Sequence, residues 1–117
     1  MKKVQSNEAK ELKNSDTSKL LEYSIELKDK DIDFCINTIM GRYPEKGYCT
    51  NEMCKEICYI LEGNGTINKK DEKIFFKYGD VILIDKGEVY YWDGNCKIIM
   101  VCTPAWYKEQ CKFLDIL

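Results

Sequence analysis

Apolar and polar positions alternate along most of this chain with a period of two, the spacing of a strand with one face turned inward. Over residues 33–42, Phe34, Ile36, Thr38 and Met40 share one face while Cys35, Asn37 and Ile39 share the other. Apolar residues on both faces predict a strand covered on both sides. Residues 56–63, Glu-Ile-Cys-Tyr-Ile-Leu-Glu-Gly, open on a carboxylate, run through apolar and aromatic positions and stop at Gly63-Asn64-Gly65. Residues 81–84, Val-Ile-Leu-Ile, predict a short buried strand between Gly79-Asp80 and a turn at Asp85-Lys86-Gly87. Further strands are expected over residues 20–27, 88–92 and 96–103, and a hairpin over 65–68 and 72–76 around Lys69-Lys70-Asp71. Residues 48–54 read as an extended lead into the strand at Glu56. Turn signals recur every 8 to 12 residues with no long amphipathic helix, which predicts a small all-β sandwich or barrel. The polar residues 1–19 are expected to form an N-terminal arm with a helical turn near Glu8–Leu12. Residues 20–104 are expected to form the barrel, and 105–117 a tail, as a short helix or extended arm packed on it.

Length and composition narrow this picture. The chain has 117 residues, enough for one domain. Its net charge of −2, with both signs interspersed, gives no electrostatic reason to expect nucleic acid or an anionic membrane as partner. No apolar run approaches the length of a membrane span, and residues 1–6 lead into polar sequence rather than a signal-peptide core. Seven cysteines, an odd number in no standard zinc or redox spacing, are expected to be reduced, buried small hydrophobes in a cytoplasmic protein. Histidine is absent, which removes Ser-His and Cys-His nucleophile pairs and the commonest metal ligand.

The glutamate followed after six residues by glycine (Glu56 to Gly63), the Leu61-Glu62-Gly63-Asn64-Gly65 turn and the Gly79-Asp80-Val81 stretch running to Gly87 resemble the two motifs of the cupin superfamily. Asp85 stands where that family usually has proline. The resemblance covers roughly residues 20–104. It implies a cupin-type jelly-roll β-barrel (a double-stranded β-helix), and commonly a homodimer; here the strand at 20–27 and Trp106, Tyr107 and Phe113 are the expected contacts. The family's usual metal site takes two histidines in a His-x-His pair, the first-motif glutamate and a second-motif histidine. Of these only Glu56 remains. The paired positions fall on Thr50 and Glu52 or on Cys49 and Asn51, depending on the offset, and the last falls on Tyr90. No histidine-held metal is therefore expected, and an atypical zinc or iron site made by Glu52, Glu56 and a cysteine is the alternative.

If residues 52–60 are extended throughout, Glu52 and Glu56 share a face, and the resemblance, in which the first-motif glutamate points into the barrel, implies that both look inward with Tyr90 and Trp92 opposite. Two carboxylates in a cavity raise one another's proton affinity, giving an acid–base pair with Tyr90 as proton donor. The same set, with Arg42, would bind a small sugar-like, amine or carboxylate ligand on an aromatic platform. Three functions follow. The first is a small-molecule-binding cupin without the usual metal, lined by Arg42, Glu52, Glu56, Tyr90 and Trp92. The second is an enzyme of sugar isomerase, epimerase or lyase type with Glu52, Glu56 and Tyr90 catalytic. The third is a structural or regulatory dimer with a packed lumen. Each carboxylate also has a bland alternative, an ion pair for Glu56 and a solvated loop for Glu52.

Overall fold

The computed structural model describes residues 1–115; the last two positions of the expected tail lie outside the described residues. Among the described residues nine strands build one curled, wholly antiparallel sheet: β1 (Lys10–Ser15), β2 (Ser18–Glu22), β3 (Asp33–Tyr43), β4 (Tyr48–Asn51), β5 (Lys55–Asn68), β6 (Lys73–Lys77), β7 (Val81–Ile84), β8 (Val89–Thr103) and β9 (Cys111–Leu114). The ladder runs β1-β2-β3-β8-β4-β9, and β5 joins β8 on its other side while also pairing β6 and β7. β8 is the hub, because β3, β4 and β5 all pair with it. Among the described residues no helix is long and apolar enough to cross a membrane.

Alternation decides what faces inward. On β8, Tyr90, Trp92, Cys96, Ile98, Met100 and Cys102 are buried, while the residues between them are not. Ile39 from β3, Cys58, Ile60 and Ile67 from β5, Phe76 from β6 and Ile84 from β7 complete the packing. A bulge between Ile60 and Glu62 shifts the parity of β5 by one, so Ile67 rather than Thr66 turns inward.

Several expected elements differ from those observed. Residues 55–68 form one continuous strand, not a strand, a turn at Gly63-Asn64-Gly65 and a hairpin arm, and residues 89–103 are likewise one strand through Asp93-Gly94-Asn95. The glycines that read as turns serve close approach instead. Gly41, Gly94 and Gly65 stand in one row across β3, β8 and β5. A Cβ on Gly94 would sit 2.6 Å from both Asn64 O and Gly65 Cα. Such a glycine line lets long strands curl tightly against each other.

At the amino end, the helical turn expected near Glu8–Leu12 gives way to a 3₁₀ turn at Ser6–Glu8, where Glu8 Oε1 accepts the Gln5 N–H at 3.0 Å, followed by β1. β1 is the sheet's edge, and the charged residues that made it look unstructured are those that suit an edge strand. The strand expected over 20–27 stops at Glu22. Ser24–Leu27 forms one helical turn, α1, because Glu22 Oε1 accepts the Ser24 N–H and Lys28 closes the turn with φ 53°. The tail carries a 3₁₀ turn at Lys108–Gln110 and then β9, which pairs with β4.

Candidate functional site

Glu56 lies at the second position of β5, on the face shared with Cys58 and Ile60, and remains partly accessible. Its carboxylate Oε1 accepts a hydrogen bond from Asn51 Nδ2 at 2.9 Å. Asn51, at the end of β4, is oriented by the tail. Its Oδ1 accepts both Gln110 Nε2 at 2.8 Å and Trp106 Nε1 at 3.2 Å, so its amide nitrogen must turn to Glu56. Gln110 is buried and its own Oε1 accepts the N–H groups of Met53 and Cys54, each at 3.2 Å. Asp33 Oδ2 accepts the Trp106 N–H at 2.9 Å, which ties the same segment to β3. One end of the barrel is thus closed by a segment whose polar side chains converge on Asn51 and Glu56.

Burial pushes the Glu56 carboxyl up to about 7, the charge of Asp33 adds to the rise, and hydrogen bonds from Tyr90 and Asn51 oppose it. Burial also raises Asp33 and Glu22 above the ordinary carboxylate range. Across from Glu56, burial and then the Glu56 charge hold the Tyr90 phenol far above its usual value, so it is a neutral donor. A carboxyl that both gains and loses its proton near neutrality, beside a neutral phenol and an oriented amide, can act as base in one step and acid in the next.

The structure brings together Glu56 and Tyr90 but not the rest of the expected set. Glu52 is exposed: the chain bends at Glu52–Met53, so the alternation that would have carried it inward is broken. Its N–H instead donates to Gln110 O at 2.9 Å. Arg42 lies on the outer face, with its guanidinium 3.7 Å from the Tyr91 ring centroid and its nitrogens donating to Pro44 O at 2.7 Å and Gly47 O at 2.9 Å. It clasps its own turn and does not reach Glu56. Trp92 is buried in the packed core, edge-on to Phe76 at 5.5 Å and to Tyr90 at 6.3 Å, and offers no open platform. Gln110 and Trp106 had no signal in the sequence as site residues, because their partners lie more than fifty positions away.

The β4 side chains that meet Tyr90 and Glu56 are Cys49 and Asn51, the second of the two offsets at which the resemblance sets its paired ligand positions. The set does not fit zinc or iron. Asn51 Oδ1 already takes two donors and Cys49 Sγ donates to the Tyr90 carbonyl oxygen at 3.5 Å, which leaves Glu56 as the one carboxylate of the four. Among the described residues no three Cys, Asp or Glu side chains gather as a metal would need. All seven cysteines are free thiols.

Depressions on the surface lie away from Glu56 in two places. One of about 880 Å³ lies between Lys69–Glu72 and Asp85–Val89, and one of about 250 Å³ between Met40, Glu62 and Lys97. Neither is lined by Glu56.

No protein-family model matches the sequence, and no curated protein sequence matches it. Solved structures do. Pac13 from Streptomyces, a nucleoside dehydratase, superposes with TM-score 0.86 at 14% identity over 98% of this chain and 92% of its own, and a variant of it carries uridine. A predicted oxalate decarboxylase from Thermotoga maritima gives TM-score 0.68 at 22% identity over 88% of this chain and 99% of its own. A cupin-2 domain protein from Shewanella frigidimarina gives 0.55 at 22% identity over 61% and 69%. At these identities the likeness is one of fold.

Proposed function

For a chain that carries the cupin-type β-barrel fold, we propose a metal-free site at the Glu56 end of the barrel that binds a small hydroxyl- or amine-bearing molecule and exchanges a proton with it. The observation that carries this reading is the inward, partly accessible Glu56 carboxyl poised at about 7. A carboxylate has about four acceptor positions, so Asn51 and Tyr90 leave it room for a ligand. Elimination or isomerisation suits such a group: Glu56 would take a proton from carbon and return one to a departing or migrating oxygen, and Tyr90 would donate to the same oxygen. The dehydratase Pac13 is a cupin-fold neighbour whose named reaction is of this lyase type. Glu22, Asp33 and Glu56 stand near one another, and no ion pair among the described residues neutralises them. That favours a neutral or cationic ligand over the sugar phosphate or carboxylate that Arg42 would have welcomed. The free thiols accord with a cytoplasmic setting.

A second reading, a structural barrel with a packed lumen, is favoured by Tyr90, Trp92 and Phe76 filling the interior. A thermal-shift screen of neutral sugars, nucleosides, polyamines and sugar phosphates, run on the native chain and on Glu56→Gln, separates the two. On the binding reading a neutral or cationic compound raises the native Tm and Glu56→Gln abolishes the shift while remaining folded. If no compound moves the native Tm and Glu56→Gln alone changes it, the lumen is structural.

A further inference from the structure

Three segments far apart in sequence meet at the Glu56 end of the barrel: the start of β3, the bend between β4 and β5, and residues 104–110. Besides the bonds that converge on Asn51, the Ala105 N–H donates to Lys30 O at 3.0 Å and Cys102 Sγ to Pro104 O at 3.3 Å. A plug that served closure alone would turn its apolar side chains inward. This one leaves Met53 53%, Trp106 47% and Tyr107 44% exposed. Single exposed apolar residues are ordinary at a surface. Trp106, however, is held at both of its N–H groups, the main-chain one by Asp33 Oδ2 at 2.9 Å and the indole one by Asn51 Oδ1 at 3.2 Å. One amide separates the indole from Glu56, since Asn51 Nδ2 donates to Glu56 Oε1 at 2.9 Å. With its N–H edge turned to Asn51, what Trp106 leaves open is ring carbon.

We propose that the open part of the Trp106 indole is the second half of the Glu56 site and takes a planar ring, so that the ligand is a ring-bearing alcohol or amine whose polar group reaches Glu56. The inference rests on the reading of Glu56 given above and narrows its ligand class. A binding site needs an apolar wall beside a few convergent polar groups. Glu56, Asn51 and Tyr90 are the polar groups, and Trp92, the expected platform, is packed in the core. Trp106 is the fixed wall in its place. Its orientation is set by Asp33 and Asn51 before a ligand arrives, so binding does not bear the cost of ordering it. Tyr107 follows it in the chain, and Met53, whose N–H is held by Gln110 Oε1, adds a pliable thioether side chain to the same end. A sugar without a ring substituent would leave this wall uncovered. The proposal gives to a ligand the Trp106 surface expected to contact a second copy.

Matched compounds that differ in the ring test the assignment: phenyl β-glucoside against methyl β-glucoside, and benzylamine against methylamine. By titration calorimetry on the native chain, the ring-bearing member of at least one pair should bind about tenfold or more tightly than its partner. Trp106→Leu should remove that advantage. Trp106→Phe, which keeps a ring and lacks the indole N–H, should retain most of it, and both variants should keep the native circular-dichroism spectrum. Acrylamide quenching of the native chain is a measurement independent of any variant. Trp92 is buried, so the quenchable emission belongs to Trp106, and the ring-bearing compound should protect it. Equal binding of both members of each pair, weakened by Glu56→Gln, would overturn the inference and leave the Glu56 reading standing. Ring-selective binding lost in Trp106→Leu but untouched by Glu56→Gln would uphold the Trp106 contact and overturn the Glu56 reading. Trp106→Phe as weak as Trp106→Leu would mean that Trp106 acts through Asn51 alone. That result, bound ring compound that leaves Trp106 open to acrylamide, or no binding by any of the four compounds would each overturn the inference.

Discussion

Glu56 illustrates how much a single side chain owes to groups far from it in sequence. Its proton affinity is a balance between burial and Asp33 on one side and Asn51 and Tyr90 on the other. The sign of the resulting pH dependence follows directly. The folded carboxyl holds its proton to about 7, above its unfolded value of 4.5. Its contribution to stability is therefore complete below about pH 4.5 and is lost as pH rises towards 7. Asp33 and Glu22, also raised by burial, act in the same direction. We expect the native Tm to fall between pH 5 and pH 8, with Glu56 accounting for up to about 3 kcal/mol of the change. Glu56→Gln, which cannot ionise, should flatten most of that slope; a slope equally steep in the variant would show that Glu56 does not titrate in this range. Strand alternation, with the resemblance that turns the first-motif glutamate inward, was enough to point Glu56 into the barrel and to set Tyr90 opposite it. It was not enough for Glu52, because a two-residue bend has no periodic signature. Nor was it enough for Gln110, whose role exists only once β9 lies beside β4.

The strands themselves were legible where their pattern was local, and misread where glycine or charge had two meanings. The alternation of β3 was plain in the sequence, and the apolar run of β7 marked a strand but not the buried one expected, since Val81 and Leu83 are 58% and 59% exposed. Gly63-Asn64-Gly65 and Asp93-Gly94-Asn95 carry the chemistry of hairpin turns, yet both are strand interior, facing each other across β5 and β8. Charge concealed β1 in the same manner, since an edge strand and a disordered arm share a composition. The two long strands make a mutational contrast available. Gly63 has φ +82°, and a Cβ there would collide with Asn95 O and the Cys96 backbone. Gly79, with φ +88°, has open space around it. Gly63→Ala should cost roughly 3 kcal/mol or more, while Gly79→Ala should cost only the backbone strain of roughly 1 kcal/mol. Urea denaturation of both variants reads the difference; equal losses would mean that close approach contributes nothing and backbone conformation everything.

At the scale of the whole molecule, the fold class was legible because it depends on turn spacing and a period of two, both of which survive errors of detail. The packing of the lumen was not, since a buried Trp92 and a ligand-stacking Trp92 look alike until Phe76 is placed beside it. Topology sets a further expectation. β8 pairs with β3 across some sixty residues, with little that is local to reward early steps. Refolding from denaturant should accordingly take milliseconds to seconds by stopped-flow tryptophan fluorescence; completion in microseconds would mean that β8 is not the late, organising strand.

That position of β8 also bears on how the protein is made. Among the described strands β3 and β5 share no ladder and meet only through β8. A nascent chain that has emerged from the ribosome as far as β7 therefore holds two separate pieces, the meander β1–β3 and the group of β5 with β6 and β7. Each presents an open edge where β8 will lie and an apolar surface that nothing yet covers. Residues 89–103 join them in a single event. Until then the emerging chain carries the open strand edges and uncovered apolar surface that make partly folded chains prone to association.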